Sequence, residues 1–199
     1  MTHKALFIGI DRYAQSALRG CVNDARQMHT ALMNRLNWPA ESARQVYDYD
    51  ATLQGIKGGL DWLVADAKPG DVRLMFYAGH GTHVADRSGD ETDDQQDESL
   101  VAIDHAWDKP LIDDEIKRYI DRLPPGAHMV AIMDCCYSGT ITRVWGESRV
   151  RYLPCPPDEQ RKIRAAQQRA QFAFREYLRG EMQGWRSRMT DEELESRLE

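Results

Sequence analysis

The chain has 199 residues, 42% hydrophobic and 29% charged, which is the length and composition of one soluble globular domain with a real core. No apolar run reaches the ~20 residues of a membrane helix, and Met1 to Ile10 lacks the cationic stretch and long apolar segment of an export signal, so a cytoplasmic protein independent of membranes is expected. With 26 Lys and Arg against 32 Asp and Glu the formal charge is -6, which argues against a nucleic-acid-coating protein.

In chain order, Leu6 to Ile10 predicts a first strand. Cys21, Ala25, Met28, Leu32 and Leu36 then share one helical stripe. Arg44 to Tyr49 reads as a weaker strand. A second helix follows on Leu53, Ile56, Leu60, Leu63, Val64 and Ala67. Pro69-Gly70 turns the chain into a second strong strand, Val72 to Tyr77. Ser99 to Ile103 predicts a short strand, and Ile112, Ile116, Tyr119 and Ile120 a third helix. Pro124-Pro125-Gly126 leads into a third strong strand, His128 to Met133.

The three strong runs do not alternate with polar residues, the pattern of strands buried on both faces. Alternation of strand and helix predicts an α/β fold, a mostly parallel sheet covered by helices on both faces. After Arg143 the character changes. Pro154, Pro156 and Pro157 interrupt the chain, Asp158 to Arg179 reads as a long Gln- and Arg-rich helix, and Thr190 to Glu193 has capping-box form for a last short one. The expected division is residues 1–150 as the α/β domain and 151–199 as a Pro-containing linker and helical tail.

Charge is uneven along this division, with acid concentrated in Asp86 to Asp114 and arginine in Arg143 to Arg188. The 4 cysteines, Cys21, Cys135, Cys136 and Cys155, contain no C-x-x-C pair, so free thiols in a reducing compartment are expected.

In an open α/β sheet the reactive groups collect beyond the carboxyl ends of the strands. The second strong run ends Tyr77-Ala78-Gly79-His80-Gly81-Thr82 and the third Asp134-Cys135-Cys136-Tyr137-Ser138-Gly139, so a histidine and a cysteine arrive at one edge. An imidazole can generate a nucleophilic thiolate from a neighbouring cysteine and later protonate a leaving amine. The glycines beside His80 permit tight turns and close approach of a substrate strand. A thiol phosphatase loop is excluded because Cys-x5-Arg would need arginine where Thr142 stands. A zinc site on His80, His83 and the cysteines lacks a second well-spaced ligand pair.

The segments Tyr77 to Thr82 and Asp134 to Gly139, with Leu18-Arg-Gly-Cys-Val-Asn-Asp-Ala25, resemble the signature segments of the metacaspases and their prokaryotic relatives among the caspase-like cysteine peptidases. The resemblance covers about Lys4 to Thr142 in the expected order. It implies a three-layer α/β/α caspase-like fold, Cys136 as nucleophile rather than Cys135, His80 as general base and acid, and Gly81 and Cys136 as the backbone N–H donors to an oxyanion. Cys135, pointing to the other side of an extended backbone, is expected in the core.

By the same resemblance Asp24, with Cys21 and Ala78, lines the pocket for the residue before the cut bond, and Asp134 leaves the strand beside it. Two carboxylates there would favour Arg or Lys in a protein substrate. Helix-start and backbone-capping roles are the alternatives for Asp24 and Asp134. No cofactor is needed for the chemistry. The resemblance also implies calcium as an activator, with Asp97, Asp113 and Asp114 as ligands. Against that, Asp113 and Asp114 suit the start of a helix, and Arg143 stands where the family has a further aspartate.

Arg143, Arg149 and Arg151 follow the nucleophile strand, and a basic preference would make that loop a self-cleavage site. The strands that normally close a caspase-like cleft after the nucleophile are not evident. Either the sequence is a fragment or processed large subunit, or the closing element has been replaced. The rival to an endopeptidase is therefore a catalytically silent caspase-like interaction module, or a large-subunit fragment needing a partner. The tail stripe Ile163, Ala166, Ala170, Phe174 and Tyr177 is spaced for packing on its own domain or on an activating protein partner.

Overall fold

A computed structural model describes residues 2–85, 96–135, 151 and 153–186. Four strands form a parallel sheet: β1 (His3–Gly9), β2 (Ala43–Tyr47), β3 (Val72–Ala78) and β7 (His128–Asp134), in the order β2-β1-β3-β7. Three short strands, β4 (Gly81–Ala85), β5 (Gln96–Leu100) and β6 (Leu111–Ile112), form a second sheet in that order, with β5 and β6 antiparallel.

The helices are α1 (Cys21–Leu36), α2 (Leu53–Val64), α3 (Asp113–Ile120) and α4 (Pro157–Arg186). The crossover through α1 moves from β1 out to β2, and the crossover through α2 moves back past β1 to β3. With both right-handed, the two helices fall on opposite faces of the sheet. Side-chain alternation along β1 agrees. The ring of Phe7 meets His29 of α1, a Cβ on Gly9 would strike Cys21 and Val22 of α1, and Leu6, of opposite parity, lies against Gly59 of α2. Among the described residues this is the α/β/α layering expected from the sequence.

Local chemistry sets the helix starts. Gly20 takes φ +103° before α1, a conformation that favours glycine, and Asp11 accepts from the N–H of Cys21 at 2.8 Å. Thr52 caps α2 by accepting from Gly55 N–H at 3.0 Å.

Each strand and helix expected before Thr190 has a counterpart, with differences at three strands. β6 takes Leu111 and Ile112, the latter expected in the third helix. β4 begins at Gly81, where the sequence reads as a continuing turn. β7 is not buried on both faces among the described residues: it is the edge of the four-stranded sheet, and Val130 is 44% exposed. Met129, Ile132 and Met133 of its apolar run pack against the core, and the strand pairs with β3.

The chain divides into two compact units, Met1–Val84 with Asp97–Pro156, and Ala85–Gln96 with Pro157–Glu199. Residues 151–156 thus belong with the sheet-bearing unit. In the other unit α4 continues past the expected Arg179. Ile163 is buried, whereas Phe174 and Tyr177 of the predicted apolar stripe are exposed. The expected last helix at Thr190 lies outside the described residues, as does the acidic run 86–95. No described helix is long and apolar enough to cross a membrane.

Candidate active site

Register brings the two predicted strand ends together. β3 and β7 pair in parallel with Ala78 opposite Asp134, and Gly79 N–H continues the ladder to Asp134 O at 3.4 Å. His80 and Cys135 leave neighbouring strands at the same edge. Cys136, Arg143 and Arg149 lie outside the described residues. Cys135 is half-buried and packed against the core, and Cys21, Cys135 and Cys155 are not joined in disulfides.

His80 is held from three sides. Its backbone N–H donates to the Tyr13 hydroxyl at 3.0 Å, and its carbonyl accepts from the Tyr77 hydroxyl at 2.7 Å. The Tyr13 ring also stacks at a tilt on the imidazole, 4.6 Å between centroids. Gly79 is required here: a Cβ would lie 2.6 Å from the Tyr13 hydroxyl and 2.7 Å from that of Tyr77.

The imidazole Nε2 lies 2.6 Å from the carbonyl oxygen of Ser16. A carbonyl can only accept, so Nε2 carries the proton and Nδ1 is left as the basic nitrogen of the neutral ring. That Nδ1 is buried and has no hydrogen-bond partner among the described residues. Burial lowers the pKa of His80, opposed by the carbonyls of Ser16 and Arg151. A neutral imidazole with one orienting acceptor and one free nitrogen is equipped to take a proton. Ser16, with φ +57°, is a site residue that sequence reasoning missed, because a backbone carbonyl leaves no signature in residue type.

The predicted specificity residues converge on one cation. Arg151 Nη2 donates to Asp24 Oδ2 at 2.6 Å, and Nη1 reaches both the carboxylate of Asp134 and, at 3.3 Å, its carbonyl oxygen. Burial alone would lower the guanidinium pKa, but Asp24, with Cys21 and Asp134 nearby, raises it above its ordinary value. Cys21, at the start of α1, is pushed up to about 12 by burial, so it stays a neutral thiol in the wall. Ala78 is fully buried at the end of β3. Asp24 does lie in the first turn of α1, but its carboxylate is spent on Arg151.

The backbone of Arg151 is fixed too. Gly81 N–H donates to Arg151 O at 2.9 Å. A basic side chain thus lies between two carboxylates, with its carbonyl oxygen on the predicted oxyanion donor Gly81.

The predicted calcium ligands are spread over two elements. Asp97 is buried on β5, while Asp113 and Asp114 open α3. Among the described residues no three His, Cys, Asp or Glu side chains group as ligands of one metal ion.

The family description "Metacaspase, peptidase C14 domain" matches residues 3–144. The chain belongs to the metacaspase family. It is 32% identical to Metacaspase-4 of Arabidopsis thaliana over 194 residues, covering 92% of this chain and 44% of that protein. It is 38% identical to Metacaspase-1A of Aspergillus oryzae, over 70% of this chain and 35% of that one, and 37% identical to Metacaspase-2 of Trypanosoma brucei brucei, over 70% and 42%. This metacaspase-family chain therefore spans less than half the length of those three relatives. In fold it is similar to a crystallised protein of Geobacter sulfurreducens, with TM-score 0.62 and 22% identity, over 90% of this chain and 66% of that one.

Proposed function

We propose that the chain is a cysteine endopeptidase that cuts after Arg or Lys and processes itself after Arg151. The observation that carries this reading is the seating of Arg151, its guanidinium between Asp24 and Asp134 and its carbonyl oxygen on Gly81 N–H.

The steps follow from the residues. His80 Nδ1 takes the Cys136 thiol proton, and the thiolate attacks the carbonyl carbon of the basic residue. The carbonyl oxygen becomes an oxyanion held by the N–H groups of Gly81 and Cys136. The C–N bond breaks as His80 gives its proton to the leaving amine. Water, deprotonated by His80, then attacks the thioester carbon, the C–S bond breaks, His80 returns its proton to the Cys136 sulfur, and the acid is released. Calcium enters as an activator supplying no atom to the reaction. The hard carboxylate donors of the acidic stretch support it, Asp97, Asp113 and Asp114 among them. Cys21, Cys135 and Cys155, none of them in a disulfide, support a reducing, cytoplasmic setting.

A second reading is a silent interaction module or a large-subunit part of a larger assembly. Exposed Phe172, Phe174 and Tyr177 on α4 favour it, as a surface for an activating protein partner. Hydrolysis of fluorogenic peptides ending in Arg, Lys or Asp, with calcium and with chelator, beside Cys136→Ala, separates the two. Cleavage after Arg that Cys136→Ala abolishes supports the peptidase, and the response to chelator tests the activator. No cleavage and no self-processing under any condition favours the module.

A further inference from the structure

The chain beyond Arg151 is held as firmly as Arg151 itself. Gly81 N–H donates to Arg151 O, and Leu153 N–H donates to Gly81 O at 3.0 Å. One residue of β4 thus bonds both neighbours of Tyr152, the register of parallel strands. The contact continues along β4. The Thr82 hydroxyl donates to Leu153 O at 2.7 Å, and the Cys155 thiol donates to His83 O. Burial alternates in step: Leu153 is half-buried against the core, Pro154 is exposed, and Cys155 is buried. An extended segment therefore presents its second and fourth side chains after the Arg151–Tyr152 bond to the protein and turns the third away.

We infer that the edge of β4, Gly81 to His83, is a binding strand for the leaving side of the substrate. It takes an extended peptide with an apolar residue second after the cut bond and a compact apolar residue fourth. This rests on the reading of Arg151 as the residue before the cut and adds a second source of specificity beyond the acidic pocket. Thr82 is the specificity residue. Fully buried on β4, its hydroxyl takes up a substrate carbonyl, so a peptide that cannot lie extended there leaves a buried donor unpaired. Strand addition gives affinity through the main chain, and the alternate inward side chains give selection.

The test uses the full chain and internally quenched peptides with Arg before the cut. One peptide continues Tyr-Leu-Pro-Cys, a second has Asp in place of Leu, and a third has Asp in place of Cys. A short substrate carries a fluorogenic amide directly after Arg. The expected result is a loss in kcat/KM of about 10-fold or more for either Asp peptide, since each puts a charge where apolar surface is buried. Thr82→Val, which keeps the shape and removes the hydroxyl, should lower the ratio of long-peptide to short-substrate kcat/KM about 5-fold. In the chain itself, Leu153→Asp should slow the cut after Arg151, read by intact mass. Long peptides cleaved within 2-fold of one another, with the ratio unchanged in Thr82→Val, would overturn the inference while leaving the basic pocket standing. If neither the short substrate nor the Arg151–Tyr152 bond is cut, the underlying peptidase reading fails and takes this inference with it.

Discussion

Arg151 and Asp24 stand 127 positions apart in the chain and meet at 2.6 Å. The contact ties the start of α1 to the segment that follows the nucleophile strand, and Asp134 at the end of β7 completes the grip. Of the three arginines proposed for self-cleavage, Arg151 is the one that lies within the described residues.

Replacing Arg151 by Gln should abolish the cut between Arg151 and Tyr152, because the pocket loses its cation. Hydrolysis of separate Arg peptides should persist. Mass spectrometry of the purified chain reads the first outcome and a fluorogenic assay the second. A cut at Arg143 or Arg149 that survives while Arg151 stays intact would reassign the loop.

Asp24→Asn keeps the size and removes the charge. Hydrogen bonds to charged partners are worth roughly 1.5 to 3 kcal/mol, so kcat/KM for Arg substrates should fall about 10- to 100-fold. Most of the change should appear in KM, since Asp24 grips the side chain and not the reacting atoms. Equal preference for Arg before and after the substitution would remove Asp24 from the pocket.

Gly79→Ala should disable the site from beside it. The new methyl group would collide with the Tyr13 and Tyr77 hydroxyls, the two groups that hold the backbone of His80. Overpacking of this kind costs about 1 to 3 kcal/mol. Thermal unfolding should show that loss, and kcat should drop well beyond what the lost folded fraction accounts for. Unchanged kcat in the folded protein would show that His80 does not depend on this scaffold.

The pH profile should carry the signature of a depressed histidine. Burial holds His80 below its ordinary value of about 6.5, so the acid limb of kcat/KM lies below that value. The sign for stability is the same. Unfolding restores the ordinary value, the unfolded chain then binds more protons, and the folded state loses stability as pH falls below about 6.5 toward the folded pKa. His105, also lowered by burial, adds to that loss. Comparison with His80→Gln isolates the His80 share, and an acid limb centred above pH 6.5 would contradict the burial argument.

Patterns governed by local physics are legible in the order of residues alone. Uninterrupted apolar runs mark β1 and β3, stripes at helical spacing mark α1, α2 and α3, and the turns ahead of β3 and β7 announce themselves in Pro and Gly. The signature segments around His80 and Asp24 point to the edge where the fold assembles them. β4 is not legible, since its first residues, Gly81 and Thr82, continue the turn composition of Gly79-His80, and its strand form comes with its pairing to β5. Nor is the Ser16 carbonyl, or the seat of Arg151 between Asp24 and Asp134. Each depends on partners distant in sequence, which composition and spacing do not encode. The exposure of Val130 has the same origin, for neighbours rather than residue type decide whether a strand lies at an edge.

The seating of Arg151 also sets a kinetic order. A segment already lying in the cleft is presented at the effective concentration of a tether and not that of free chains. The half-time of self-cleavage should therefore stay constant on dilution, whereas a separate substrate must first displace the resident segment. Such a chain would act on itself before it acts on anything else, with a delay set by the molecule and indifferent to how many copies surround it.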